Sequence, residues 1–402
     1  MIEAAHEQVR VRIVMMRGGA SKAIFLDEKD VPREAGARTR FLLALFGSPD
    51  RRQIDGLGGA DLLTSKCAIM GAPTRLDADV DYTFVQVSVE NPVVSYDIAC
   101  GNITAAAAVY AIEEGYVQAR APATTVRVHN TNTRKVMRIT VPVSNGLCCV
   151  EGDFAIDGVP GTGAEVQLDF SATVGAATGT MLPTGNVRDR IRVDRLGREI
   201  DVSIVDVANP CVFVAAEDVG LTGAEMPDQV PASVLDVLEE VRVAACRISG
   251  IDSYLLPFQA VVGRACSYRS SLTGAAIAAS DCDLVARLFV ERAMHKAYAG
   301  TGATCLAVAA RLHGSVAHAH SASRVGRGSI RIGHPSGVLP IASDVERIGD
   351  AWRVNQVVFS RTARRLMEGW AYVRRQRLES PAREETRPLE TAVGASVSDV
   401  TV

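Results

Sequence analysis

The sequence predicts an α+β chain made of two similar halves, each a strand layer wrapped round one buried helix. Three observations carry this. Short β-rich runs follow one another through turn signals instead of alternating one-for-one with helices, which favours α+β over a doubly wound sheet. A few helices stand out between them as Ala-rich. One such helix occurs twice, as CGNITAAAAVYAIEEG at 100–115 and TGATCLAVAARLHG at 301–314, an offset of 201 residues. Each copy opens on a small polar residue and a Gly and ends near a Gly, and a helix apolar all round is a buried one.

Taken in order, VRIVMMRGGASKAIFLD at 11–27 reads as two strands joined at Arg17-Gly18-Gly19. Residues 79–98 are strand-like with a break at Asn91-Pro92. Residues 124–143 read as a hairpin, because the polar run Asn130-Thr131-Asn132-Thr133 separates two alternating stretches. IRVDRLGREIDVSIVDV is a second hairpin turning near Leu196-Gly197. Helices are predicted at 38–46, 102–114, 231–248 and 302–313, and a further one carrying Arg361, Arg364, Arg365, Arg374, Arg375 and Arg377 near the C-terminus. The expected organisation is a first half over 1–185 around helix 102–114, a second over 186–377 around helix 302–313, and a polar tail over 378–402.

The 402 residues suffice for two or three domains with real cores, and 48% hydrophobic with 22% charged residues is globular composition, not disordered. A net charge of −3 gives no electrostatic footprint for nucleic acid, and no apolar run is long enough to span a membrane. The N-terminus has neither a cationic region nor an apolar core of a signal peptide, so a soluble, cytoplasmic protein is expected. Nine cysteines without secretory signals argue against a disulfide framework. His318 and His320 form an HxH in a flexible-looking stretch, but no Cys pair or HExxH accompanies them, so no metal is expected. The arginine cluster, surrounded by acidic residues, reads as a solvated face or an intersubunit contact; a homodimer is compatible with it.

Cys100 precedes the first Ala-rich helix, at about its N-cap. Free N–H groups and the positive end of the helix dipole there favour a thiolate and can hold a carboxylate. Ser, Asp or Asn would cap better, so a thiol at this point suggests chemistry. Lys66 ends a Gly-rich run and opens an apolar stretch; it either snorkels to solvent or is desolvated into a usable base. Gly18-Gly19 lets backbone approach a ligand, although no phosphate-loop pattern is present. Asn209-Pro210 and Pro183-Thr184-Gly185 are loop tips that contact ligand or merely turn the chain, and His295-Lys296 could supply positive charge to an acid substrate.

MRGGASK (16–22), GSPDRRQIDGLGGADLLTSK (47–66), DIACGN (97–102), MHKAYAGTGA (294–303) and RTARRLMEG (361–369) together resemble the PrpF family, over about residues 12–376. That family includes methylaconitate cis–trans isomerase and 4-oxalomesaconate tautomerase and shares the diaminopimelate epimerase fold. The resemblance implies two β-barrel-like sheets round central helices with the site between them, and Lys66 and Cys100 as the pair that moves protons. Arg17, Ser21, Gly101, Asn102, His295, Thr301 and Gly302 are the implied substrate contacts. Epimerases of this fold carry a thiol at the head of each central helix. Here the second is missing, with Thr301 or Gly300 in its place according to a one-residue choice of register, which counts against a racemase or epimerase. The expected reaction is a cofactor-independent 1,3-allylic shift of a C=C bond in a small unsaturated polycarboxylic acid through a dienolate. Overall likeness favours 4-oxalomesaconate, in the protocatechuate 4,5-cleavage of lignin-derived aromatics, over 2-methylaconitate of propionate breakdown. A non-catalytic carboxylate binder would need no base, so Lys66 with Cys100 argues against one.

Overall fold

The computed structural model describes residues 7–322, 328–349 and 351–379. The polar tail expected from 378 lies outside these residues from 380 onward. Strand β1 (Gln8–Gly18) folds back on β2 (Ser21–Asp27) with Gly18 opposite Ser21. The turn requires Gly19 in the left-handed region at φ +48°. Strand β3 (Lys66–Gly71) runs parallel to β2, and β4 (Val80–Val87) runs antiparallel to β3 with Lys66 directly opposite Gln86. Directly opposed residues share a face, so this register sets the Lys66 amine beside the Gln86 amide.

The hairpins form as expected, Ala123–Asn130 with Lys135–Ser144 and Asp189–Val193 with Arg198–Val207. Helices α1 (Ala35–Phe46), α2 (Gly101–Glu113), α3 (Ala232–Ser249) and α4 (Gly300–Ala309) match the four predicted ones within a few residues. Helix α1, buried over its last six residues, and the amphipathic α3 each pack with strands in a separate apolar cluster. By contrast, α2 is buried from Gly101 to Ile112 and α4 along its whole length, and both belong to one continuous core. Strands β1–β4 and the first hairpin pack on α2. The strands Arg198–Val207, Asn209–Ala215, Gly337–Ile348 and Ala351–Arg361 pack on α4. Small side chains make this possible: eight of the 23 residues of the two helices are Ala, so strand backbones approach from several sides.

Two expectations are corrected. The arginine cluster is not on a helix: Arg361 ends the strand Ala351–Arg361, Arg364, Arg365 and Arg374 lie on the strand Ala363–Arg374, and only Arg375 and Arg377 fall in the short α6 (Arg375–Glu379), after α5 (Val316–His320). The strand Ala363–Arg374 pairs along the whole of β1, and Arg365 bonds Glu113 and Glu114 at the end of α2. Alternating burial, not a helical stripe, was the relevant period. Second, His318 and His320 sit on the short helix α5, where His320 Nδ1 donates to the Val316 carbonyl and Nε2 pairs with Glu217.

Candidate active site

The heads of α2 and α4 meet at a narrow cleft. Cys100 is the N-cap of α2 and Ala299 that of α4, and neither helix has a side-chain cap. Two unclaimed N-termini therefore face one space, concentrating N–H donors and positive dipole ends there. The ring of Phe359 wedges between the first residues of both helices: a Cβ on Gly101 would stand 2.8 Å from its Cζ, and one on Gly300 3.0 Å. This pairing of Gly101 with Gly300 and of the two caps aligns Cys100 with Ala299, an offset of 199. The expected 201, and the choice between Gly300 and Thr301 for the missing thiol, are thereby corrected. The position holds a methyl group.

Asn209 ties the two heads together. Its amide clasps the Ala99 backbone, accepting from the N–H and donating to the carbonyl at 2.8 Å each, and donates to Thr301 Oγ1 at 2.9 Å. The expected loop tip is a buried strand start that orients Cys100 and Thr301 across the core. On the other side Asn102 Nδ2 donates to Ser21 Oγ at 3.1 Å. Gly18 and Gly19 are both needed here, since Cβ atoms would stand 2.0 Å from the Asn102 carbonyl and 2.2 Å from Asn102 Oδ1.

Lys66 does not snorkel. It is 6% exposed, and Nζ donates to Gln86 Oε1 at 2.6 Å above the face of Phe84. Gln86 cannot turn away, because its Nε2 donates to the carbonyls of Ser65 and Leu62. Burial lowers the Lys66 pKa, and the negative charge of Cys100 as thiolate, of Asp61 and of Glu291 opposes that shift. Lys66 and Cys100 line the same cleft, with Ser21, Gln86, Gly101, Asn102, His295 and Thr301.

Of the nine expected site residues, the structure brings seven to this cleft. Arg17 is not among them: its guanidinium is spent on the carbonyls of Gly19 and Thr362 and on Thr362 Oγ1. Gly302 faces Leu288 and Tyr298 in the core. His295 is in the cleft but brings no charge, since burial and then the nearby Lys66 push its pKa down to about 4, and its Nδ1 accepts from the Ala297 N–H. Lys296 points to the surface and pairs with Asp61. The positive charge comes instead from Arg361, 3% exposed, whose Nε donates to Asn102 Oδ1 at 2.8 Å. Gln86 and Arg361 are the candidate positions that residue patterns missed, and Asn209 was read only as a loop tip; a strand register for 351–374 would have exposed Arg361. Among the described residues, no group of three or more His, Cys, Asp or Glu side chains is arranged to hold a metal.

Two helix heads without side-chain caps, one buried amine and one thiol thus meet in a single cleft, and the fold that carries it is seen in solved isomerases. A crystal structure titled methylitaconate-delta-isomerase superposes with TM-score 0.75 at 45% identity, covering 95% of this chain and 100% of that one. A hydroxyproline epimerase from Agrobacterium vitis shares the fold at TM-score 0.55 and 12% identity, over 92% of this chain and 93% of that one. The chain is an isomerase. It belongs to the PrpF family, whose sequence model, described as PrpF protein, matches residues 8–374. Among relatives, 3-methylitaconate isomerase of Eubacterium barkeri is 46% identical over 383 residues, 92% of this chain and 99% of that one. 2-Methyl-aconitate isomerase of Cupriavidus necator is 36% identical over 391 residues (91% and 98%), and 4-oxalomesaconate tautomerase of Pseudomonas putida 36% over 365 residues (90% and 96%). No helix of the described residues is long and apolar enough to cross a membrane.

Proposed function

We propose that the chain moves a C=C bond along a three-carbon unit of a small unsaturated polycarboxylic acid, with Lys66 and Cys100 transferring the protons. The observation that carries this reading is the desolvated Lys66 amine, fixed on Gln86 and sharing a cleft with the thiol at the open head of α2. Neutral Lys66 takes a proton from the carbon allylic to the double bond. The electron pair delocalises through the alkene into the conjugated carboxyl group, giving a dienolate. The Cys100 S–H delivers a proton to the far carbon, and the double bond settles one position along. Lys66 as ammonium and Cys100 as thiolate then return to their starting forms by proton exchange with solvent. Two helix N-termini stabilise the dienolate and the remaining carboxylates by preorganised donors. The methyl group of Ala299 opposite Cys100 supports a 1,3-shift over inversion at one carbon, which needs a second acid/base on the other face.

The identities make 3-methylitaconate the first acid to test, ahead of 2-methylaconitate and the initially favoured 4-oxalomesaconate, which stand level at 36%. A role in lignin-derived aromatic breakdown follows only if 4-oxalomesaconate is turned over. Each acid is incubated with enzyme in heavy water and followed by proton NMR. Migration of the vinylic signals with deuterium entering the allylic positions is expected, and Lys66→Met should abolish both in a folded protein. No exchange with any of the acids, or full activity in Lys66→Met, overturns the reading.

A further inference from the structure

The cleft at Lys66 and Cys100 has free space of only about 30 Å³, room for a water molecule or two. Behind it lies a much larger cavity of about 400 Å³, within the range of small-molecule sites. Asn102 lines both. The cavity wall at that junction is Arg361. Its guanidinium stands against the head of α4, with Nη2 3.3 Å from where a Cβ on Gly300 would lie. The side chain is buried, yet no carboxylate pairs with it among the described residues. It is held by Asn102 Oδ1, by the Ser360 carbonyl and by the face of Phe359 at 4.7 Å. Nη2 makes no hydrogen bond within the described residues. The two acidic groups at the cavity are engaged elsewhere, Asp157 accepting from the Val338 N–H and Glu165 from Ser360 Oγ. His334, the other ionisable group facing Arg361 there, is buried, and its Nδ1 accepts from the Ser336 N–H.

A buried cation without a counter-ion is costly and calls for an anion as partner. We propose that this cavity is a second carboxylate compartment, in which Arg361 takes the substrate carboxylate most remote from the migrating double bond. The assignment rests on the isomerase reading for the word substrate, and on the cavity and the unpaired guanidinium for the anion. It makes Arg361 a specificity residue that selects acids with an anionic group beyond the reacting unit, and so favours the tricarboxylic 2-methylaconitate and 4-oxalomesaconate over the dicarboxylic 3-methylitaconate, against the order of sequence identity. By holding Asn102 it also links occupancy of the cavity to the wall of the reactive cleft.

Tricarballylate, a saturated tricarboxylate that cannot isomerise, is the probe, with succinate as the two-carboxylate control, both titrated by calorimetry. Arg361→Gln should weaken tricarballylate by about a hundredfold and succinate by no more than a few-fold, the loss expected when one partner of a buried charge pair is removed. Arg361→Lys keeps the charge but not the planar fork, so an intermediate loss is expected. Ala342→Leu fills the cavity from another wall and leaves Arg361 intact; it should also weaken tricarballylate selectively, and it answers the question should the arginine variants not fold. Unchanged tricarballylate affinity in the folded variants, or equal losses for both acids, overturns the proposal. Selective loss in a protein whose wild type isomerises none of the acids keeps the compartment and removes the isomerase reading instead.

Discussion

Replacing Gln86 by Leu isolates what the amide does for the amine. In the folded protein Gln86 Oε1 is the hydrogen-bond acceptor of Lys66 Nζ at 2.6 Å, in a site where Lys66 is 6% exposed. A hydrogen bond to a charged group contributes about 1.5–3 kcal/mol, and losing it penalises the ammonium form. At 1.36 kcal/mol per pH unit the Lys66 pKa, already lowered by burial, should fall by a further one to two units or so. In the proposed mechanism the base is the neutral amine, so activity should rise as pH passes upward through this pKa. The acidic limb of kcat/KM should therefore move to lower pH by about one to two units, while the plateau drops because the amine is no longer aimed. Stability should fall as well, by about 2–4 kcal/mol, because the Ser65 and Leu62 carbonyls lose their Gln86 donor. The assay is the pH profile of deuterium wash-in and of isomerisation, beside urea unfolding. A limb that stays in place, or moves to higher pH, refutes Lys66 as the base held by Gln86.

Cys100→Ser keeps the shape but replaces the thiol with a far weaker acid that is also a better cap; isomerisation should drop by about 100-fold or more, within the range of a lost general acid, and an unaffected rate would make Cys100 a mere cap. Gly19→Ala should cost about 2–4 kcal/mol in urea unfolding, since φ is +48° and the new Cβ would lie 2.2 Å from Asn102 Oδ1 and 2.8 Å from Arg361 Cδ. Gly115→Ala, with φ +80° and nothing within 4 Å, isolates the backbone part, so equal losses would refute the clash. Burial pushes His295 down to about 4 and His334 to about 3, against an ordinary 6.5. Both are neutral when folded, so the unfolded chain takes up more protons below pH 6.5; the stability is full above 6.5 and is lost on acidification, at about 2 kcal/mol per histidine by pH 5. His334→Gln should shallow that decline by about half in urea unfolding at pH 7 and 5, and an unchanged slope would show that His334 is not neutral in the fold.

The parts of this fold that depend on near neighbours in sequence were legible. Turn residues at Asn130–Thr133 and Leu196-Gly197 placed hairpins, and the Ala run placed α2 with Cys100 at its cap, as found. What failed depended on partners far away in the chain. Arg361 was grouped with arginines near it in sequence, whereas its surroundings come from Asn102, 259 residues away, and from the head of α4. His295 was read as a charge because His-Lys is a basic pair; burial decides its protonation, and the pair splits, one into the cleft and one to the surface. The repeat was visible, but its offset was two residues out, because Thr301 was matched to Cys100 by residue type and the caps, which fix the true register, are set by the strands feeding each helix.

With Lys66 as the proposed base, the electrostatics favour an amine over a carboxylate in that role. The cleft lining contains Lys66 and no Asp or Glu, although Asp61 and Glu291 lie near enough to act on the amine, and the cavity beside it offers the unpaired Arg361. A polyanionic acid entering such a place would hold a neighbouring carboxylate base in its protonated form, by like-charge repulsion in a dry site. An amine responds in the opposite sense. Uncharged, it meets the substrate without repulsion; once it has taken the proton, it is a cation beside a carbanion whose charge has just formed. The attraction thus appears as the transition state is reached, which is where an interaction raises kcat instead of merely lowering KM. The same field disfavours a cationic amino-acid substrate, whose ammonium group would face Lys66 and Arg361 with no carboxylate in the cleft lining to receive it. Under the proposed mechanism, the cationic surroundings of the cleft and the methyl of Ala299 both weigh against racemisation, one through charge and one through the want of a second proton carrier.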